Sequence, residues 1–377
     1  MSVLDRFARV IFLGGGVMAE RIYLQNPDLK EKLVGVIDLL NDEERTTKSF
    51  HEFNIVNAGV KKDLLNNSDV GIIIAIGSVC ASDVCHEYIN KYAERTDNII
   101  VPNPYTTLRF SFVDEDVSKE KMLPKNHPNY NRVKNMFLDK ESIDTFDMIM
   151  KAKTYEGIED TYELVMYNDI RDMYYYNERY GFDIENPNLS EWATVFDCGA
   201  FIGDSVEDIC NEIKNNKILY YAFEPSEVNY MKMVENNDKS KVCTEFFALN
   251  YGVGENDEIM EFMLPASGDR EGGHIVYNSL DKNASEVSRC EIRKIDNMEI
   301  DIKGDLYIKM DIEGAELSAL KGAVDTIKKY RPVLSICVHH RKNDITDIPL
   351  FINDLGVNYK YYLRGGYHTV FIAVPEY

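Results

Sequence analysis

The chain is predicted to be an α/β protein with more than one parallel, doubly wound sheet. Three observations predict this class. Short apolar runs alternate with polar, helix-like stretches over residues 1–110 and again over 191–377, as successive βαβ units require. In both parts a glycine-rich turn follows the first apolar run. In both parts an acidic residue then ends the second run, at nearly the same distance from its glycines.

The elements follow in order. Residues 10–13 are a strand candidate, Gly14-Gly15-Gly16 is a turn, and a helix runs to about Gln25. A second strand over 33–37 ends at Asp38, and further strands are expected at 72–76 and 99–101. Residues 111–190 place Met, Tyr, Asp, Asn and Lys at helical spacing, broken by Pro124, Pro128 and Pro187. They predict a helical connector with a boundary near 187–190. Beyond it, strands are expected over 194–196, 219–223, 244–248, 306–310, 333–338, 359–363 and 369–374. Arg364-Gly365-Gly366-Tyr367 joins the last two as a short turn, so an antiparallel hairpin should close the sheet. At about 150 residues per domain, 377 residues leave room for two or three domains.

Charge narrows the function. With 64 acidic and 42 basic side chains the net charge is −22. Such a surface repels nucleic acid and anionic membranes. The apolar run at 10–13 is too short for a signal peptide, and the run at 70–79 is far below the ~20 residues of a membrane span. Seven cysteines, at 80, 85, 198, 210, 243, 290 and 337, show no Cys-x-x-Cys pairing. Reduced thiols and a cytoplasmic enzyme are expected.

The chemistry concentrates in the last part. Asp197-Cys198-Gly199-Ala200-Phe201-Ile202-Gly203-Asp204 follows a strand and precedes a helix expected over 205–213. Its Asp-x-Gly-x-x-x-Gly spacing differs from the Gly-x-Gly-x-x-Gly turn that seats a pyrophosphate. An acid at the start of the loop suits a ligand with a cationic amine and no phosphate, such as S-adenosylmethionine. Glu224-Pro225 ends the next strand, where a carboxylate can accept hydrogen bonds from a ribose diol. In the strand over 306–310, Lys309 shares a face with Asp311, and the two are expected to pair. Leu317, Leu320, Ala323 and Ile327 mark the buried face of the helix that follows.

Tyr307-Ile308-Lys309-Met310-Asp311-Ile312-Glu313-Gly314-Ala315-Glu316, with Leu320-Lys321-Gly322-Ala323 just after, resembles the signature of the FkbM-type methyltransferases. The loop from Asp197 to Asp204 and Glu224-Pro225 fall where that family's first two cofactor motifs fall. The likeness covers residues from about 190 to 377. It implies a class I methyltransferase sheet of seven strands with the last antiparallel. It also implies S-adenosylmethionine as cofactor, and methyl transfer to a hydroxyl of a saccharide, a nucleotide-linked sugar or a secondary metabolite, as in polysaccharide biosynthesis. Residues 1–110 are similar to the Rossmann-like domains of sugar-modifying enzymes. Ala19 stands there where a third glycine is usual, and Asp38 where a ribose-binding acid would sit. A docking or dimerising role for this domain, within a homodimer, is an equal reading.

Asp197, Gly199, Ala200, Phe201, Gly203, Asp204, Glu224, Pro225 and Asp311 are therefore the expected cofactor residues. Methyl transfer to a hydroxyl also needs a base. His339 and His340 end an apolar strand and are the first candidates, with Asp311 and Lys309 beside them. Strand alternation puts the two histidines on opposite faces. Arg341 and Arg364 could anchor an anionic substrate group. A divalent metal would draw on Asp311, Glu313 and His339, but no tight ligand spacing assigns one. Residues 264–290, with Gly268, Gly272, Gly273 and His274, are expected to shape the acceptor site. Two rival readings stand: an NAD(P)-dependent oxidoreductase or epimerase working from Asp38, and a binding protein with an idle methyltransferase fold.

Overall fold

The computed structural model describes residues 2–38, 49–57, 62–75, 88, 91–102, 128–154, 164–169, 184, 190–213, 215, 217–240, 242–264, 274–275, 286–365 and 369–376. They form two compact units. The first draws on Met1–Ser111 and Met148–Asn177, the second on Leu123–Asp147 and Glu178–Tyr377.

The first unit is a seven-stranded sheet. Its strands are β1 (Arg9–Leu13), β2 (Leu33–Asp38), β3 (Ser49–Phe50), β4 (Phe53–Asn57), β5 (Val70–Ile74), β6 (Ile99–Pro102) and β7 (Leu164–Met166). The order is β3-β4-β2-β1-β5-β6-β7. The five inner strands are parallel, and the two edges are antiparallel to their neighbours. Val10, Ile11, Phe12 and Leu13 are all buried, because a parallel sheet is covered on both faces. Helix α1 (Val17–Gln25) follows the three glycines. The stretch 111–190 is expected to be mostly helical. Helices α2 (Pro128–Lys134) and α3 (Lys140–Thr154) form, but Leu164-Val165-Met166 pairs with β6. A three-residue edge strand is too short to show a period of its own.

The second unit opens with β8 (Trp192–Cys198), α4 (Val206–Glu212), β9 (Lys217–Phe223), α5 (Glu227–Ser240) and β10 (Glu245–Leu249). It continues, after a small sheet, with β15 (Asp305–Met310), α6 (Glu316–Lys321), α7 (Val324–Tyr330), β16 (Val333–Cys337), α8 (Asp344–Asp354), β17 (Tyr359–Arg364) and β18 (Val370–Pro375). The main sheet runs β10-β9-β8-β15-β16-β18-β17. Only β18 runs opposite to the other six strands, so the expected hairpin closes a seven-stranded sheet. Val206, Ile209, Cys210 and Ile213 repeat at helical spacing and pack with Tyr220, Met233 and Tyr307 into one core. Burying side chains of that size contributes roughly 1.5–3 kcal/mol each.

The small sheet was not expected. Its strands are β11 (Gly252–Val253), β12 (Glu258–Leu264), β13 (His274–Ile275) and β14 (Glu286–Arg293), in the order β11-β14-β12-β13. Charged residues interrupt β12 and β14, while Cys290 and Ile292 turn inward. A half-buried antiparallel pair reads as polar loop when only long apolar runs are sought. Gly268, Gly272 and Gly273 lie outside the described residues.

In the main sheet the strand order reverses between β8 and β15. Open α/β sheets bind ligands beyond the carboxyl ends of the strands at such a reversal. The ends of β8, β9, β15 and β16 therefore define the site to be built.

Candidate active site

Asp197 lies in β8 directly across from Lys309 of β15. Both are buried. Their Oδ1 and Nζ stand 2.9 Å apart, and Nζ also donates to the Gly199 carbonyl at 3.0 Å. The other Asp197 oxygen accepts from Tyr220 Oη at 2.8 Å and Ser205 Oγ at 3.2 Å. This corrects two expectations. Asp197 faces its own chain and presents no carboxylate to a cationic amine. Lys309 pairs with Asp197 instead of Asp311, and its ammonium is too enclosed to reach a substrate. Cross-strand register brings Lys309 to Asp197, whereas Asp311 is two residues, roughly 7 Å, along the same strand.

The glycine loop crosses the end of β15. Gly199 has φ +80°, and a Cβ there would stand 1.9 Å from the Asp311 carbonyl oxygen. Its close approach is thus to backbone of the same chain. Gly199 and Ala200 both donate to the Phe223 carbonyl at 3.0 Å. Phe201, left-handed at φ +48°, donates its N–H to Glu224 Oε2 at 3.0 Å. Gly203 donates to the Ala200 carbonyl at 2.7 Å, and Asp204 is exposed beyond it. The second oxygen of Glu224 accepts from Ser226 N–H at 2.9 Å, across the intervening Pro225. Burial pushes the Glu224 carboxyl up to about 7. Asn229, unremarked in the sequence, also hydrogen-bonds Glu224, and its own buried Oδ1 has no partner.

A second cluster follows β15 and β16. Strand β16 ends at Cys337, so alternation does not govern the residues after it. His339 and His340 consequently lie with ring centroids 4.1 Å apart, both near Asp311, and not on opposite faces. His340 Nε2 is 3.2 Å from Asp311 Oδ1 and 3.6 Å from Glu313 Oε2. Its Nδ1 is 2.9 Å from Glu316 Oε1, off the line of a hydrogen bond. Burial opposes charge on His340, but Glu316 and Asp311 outweigh it and hold the ring well above the ordinary imidazole range. Burial likewise opposes charge on Asp311, and the His340 hydrogen bond overrides it, keeping the carboxyl well below its usual value. Glu313 has φ +54°, and burial pushes it up to about 7. Glu316 Oε1 also accepts from Ile312 N–H at 2.8 Å, which braces the turn. With carboxylates at both ring nitrogens, His340 has none turned toward an acceptor, so it is not placed as the base. His339 Nδ1 lies 3.3 Å from the Thr369 carbonyl.

Residues 197–361 match the family model of the methyltransferase FkbM domain. This stretch is similar to an FkbM methyltransferase domain. The crystal structure of methyltransferase FkbM from Methylobacillus flagellatus KT is similar at a TM-score of 0.52 and 19% identity, covering 98% of this chain and 92% of that one. At that identity the likeness shows the fold, a class I methyltransferase α/β architecture. No curated protein matches the chain. The FkbM domain implies methyltransferase activity.

Within and beside the FkbM domain the remaining expectations divide. Arg364 is buried against Asp139 at 2.6 Å and Ser142 at 2.9 Å, so it is not available to a substrate. Arg341 is exposed at the rim, close over Gly314. The metal set Asp311, Glu313 and His339 is not assembled, since Glu313 approaches His340. Donor atoms do converge, within 4.8 Å of one another, in two other groups: Asp311, Cys337 and His339, and Asp311, Glu316 and His340. In the second group each ring nitrogen faces a different carboxylate, so neither could share one ion with both.

Proposed function

We propose that the chain transfers a methyl group from S-adenosylmethionine to a hydroxyl oxygen of a saccharide, a nucleotide-linked sugar or a secondary metabolite. The observation that carries this is the pair Glu224 and Asn229 at the end of β9. A carboxylate has about four acceptor positions. Phe201 N–H, Ser226 N–H and the Asn229 side chain use three of them, which leaves one, and Asn229 adds an unpartnered buried oxygen. That set fits the diol of a ribose. S-adenosylmethionine, when bound, supplies an electrophilic methyl on its sulfonium.

The chain supplies positioning. The Asp197–Lys309 pair fixes the glycine loop against β15. Asp311 and His339 gather at the ends of β15 and β16, where an acceptor hydroxyl would give up its proton. A charge of −22 favours a small or saccharide acceptor over nucleic acid. The described cysteines form no disulfide, in keeping with a cytoplasmic enzyme. No described helix is long and apolar enough to cross a membrane.

Calorimetric titration with S-adenosylhomocysteine tests the reading. Binding is expected, with Glu224→Ala weakening it roughly tenfold to a hundredfold, or about 1.4–3 kcal/mol. A wild-type chain that bound no S-adenosylhomocysteine would sink it. Methyl transfer from labelled cofactor to nitrogen in place of oxygen, on an amino-sugar panel, would overturn the acceptor class alone.

A further inference from the structure

The group Asp311, Cys337 and His339 is assembled by the sheet itself. In the parallel register of β15 and β16, Tyr307 lies across from Val333 and Lys309 from Ser335. One step further along the same face brings Asp311 level with Cys337. His339 follows two residues later, beside Thr369 at the start of β18. Sulfur, nitrogen and oxygen donors then lie within 4.8 Å of one another. Around a tetrahedral zinc ion such atoms stand roughly 3.3–3.8 Å apart, given bond lengths of ~2.0–2.3 Å. Small side-chain rotations close the difference.

Two supports point the same way. Metal-binding histidines usually donate their second ring N–H to a carbonyl or carboxylate. The 3.3 Å contact from His339 Nδ1 to the Thr369 carbonyl is of that kind in the tautomer that carries its proton on Nδ1. Ligating carboxylates are themselves hydrogen-bonded, and His340 Nε2 stands 3.2 Å from one oxygen of Asp311. Cys337 and His339 are buried, while Asp311 keeps 22% of its side-chain surface exposed as a way in.

We propose that Cys337, His339 and Asp311 bind one zinc ion. The mixed thiolate, imidazole and carboxylate set suits zinc above magnesium or calcium, which prefer oxygen alone. Three protein ligands leave a fourth position, the arrangement of catalytic zinc sites. An acceptor hydroxyl bound there would lose its proton closer to neutral pH. That last step rests on the methyltransferase reading. The metal site does not, and its test reads metal instead of cofactor.

The full-length chain is equilibrated in zinc-buffered solution and its metal content measured by mass spectrometry. About one zinc per chain is expected. The cobalt-substituted protein should show a thiolate-to-cobalt band in the near ultraviolet. Cys337→Ser should abolish that band and weaken zinc binding at least tenfold, and His339→Ala should weaken zinc binding while circular dichroism stays unchanged. If either variant fails to fold, the wild-type chain still decides. A wild-type chain that takes up no zinc, a cobalt-substituted wild-type chain without the thiolate band, or a cobalt band that survives both substitutions would each overturn the proposal.

Discussion

The two seven-stranded sheets begin alike and differ in what they bury. Each runs strand, glycine turn, helix, strand, acid. In the first unit the turn rests on apolar side chains: a Cβ on Gly15 would meet Ile55 Cδ1 at 2.8 Å. Among its described residues Asn98 is the polar side chain in the interior. In the second unit the turn rests on backbone and charge. Gly199 presses on the Asp311 carbonyl, and Asp197, Lys309, Glu224, Glu316, His339 and His340 are all buried nearby. Buried charge is expensive unless paired, and it clusters where chemistry is done. A shared topology therefore says little about function, and the interior behind the first turn says much.

Substituting the two glycines tests this difference most severely. Gly199→Ala adds a methyl into the Asp311 backbone at a left-handed φ, and should prevent the second unit from reaching its folded form. Gly15→Ala meets the flexible end of a side chain and should cost about 1 kcal/mol. Thermal unfolding of the two variants side by side would show it, and equal losses would contradict the contrast.

Lys309→Met comes next. It strands the Asp197 charge in the interior and should cost about 3–5 kcal/mol. Adding Asp197→Asn should recover part of the loss, as read from urea denaturation. In the first unit, Asn98→Ala removes donors to the Leu65 and Val70 carbonyls and should cost only about 1–3 kcal/mol.

The last effect depends on pH. Burial raises Glu224 from an ordinary 4.5 to about 7. Between those values the folded chain holds a proton that the unfolded chain has shed. Stability should therefore fall as pH rises through that window, by roughly 3 kcal/mol from this group. Glu313 is raised to about 7 as well, so the wild-type slope includes both. The difference between wild type and Glu224→Gln isolates Glu224, and parallel stability curves for the two would remove it from the account.

Much of the framework was legible. Strands β8, β9, β15, β16 and β18 are buried on both faces and show as continuous apolar runs. Topology then places the glycine loop, Glu224 and the residues after β15 and β16 at one end of the sheet. Partners were not legible, because they depend on register. Nothing local in the sequence says that Lys309 meets Asp197 before Asp311, or that Cys337 comes level with Asp311. The histidines were misplaced because alternation was carried past the last strand residue. Asn229 had a weak signal, five residues beyond Glu224 in the first turns of α5. The charged strands β12 and β14 had almost none.

The lysine that clamps the glycine loop lies 110 residues after the carbonyl it holds. During synthesis β8, its loop and β9 leave the ribosome long before β15 exists. The loop can take its final shape only when β15 inserts beside β8, so this end of the sheet is completed late. Contacts that close so long a stretch of chain form slowly. A nascent chain halted before Asp305 would already hold Glu224 and every glycine of the loop, yet have nothing to lock them in place. Capture of the proposed cofactor would thus report, in a single measurement, that the two halves of the domain have met.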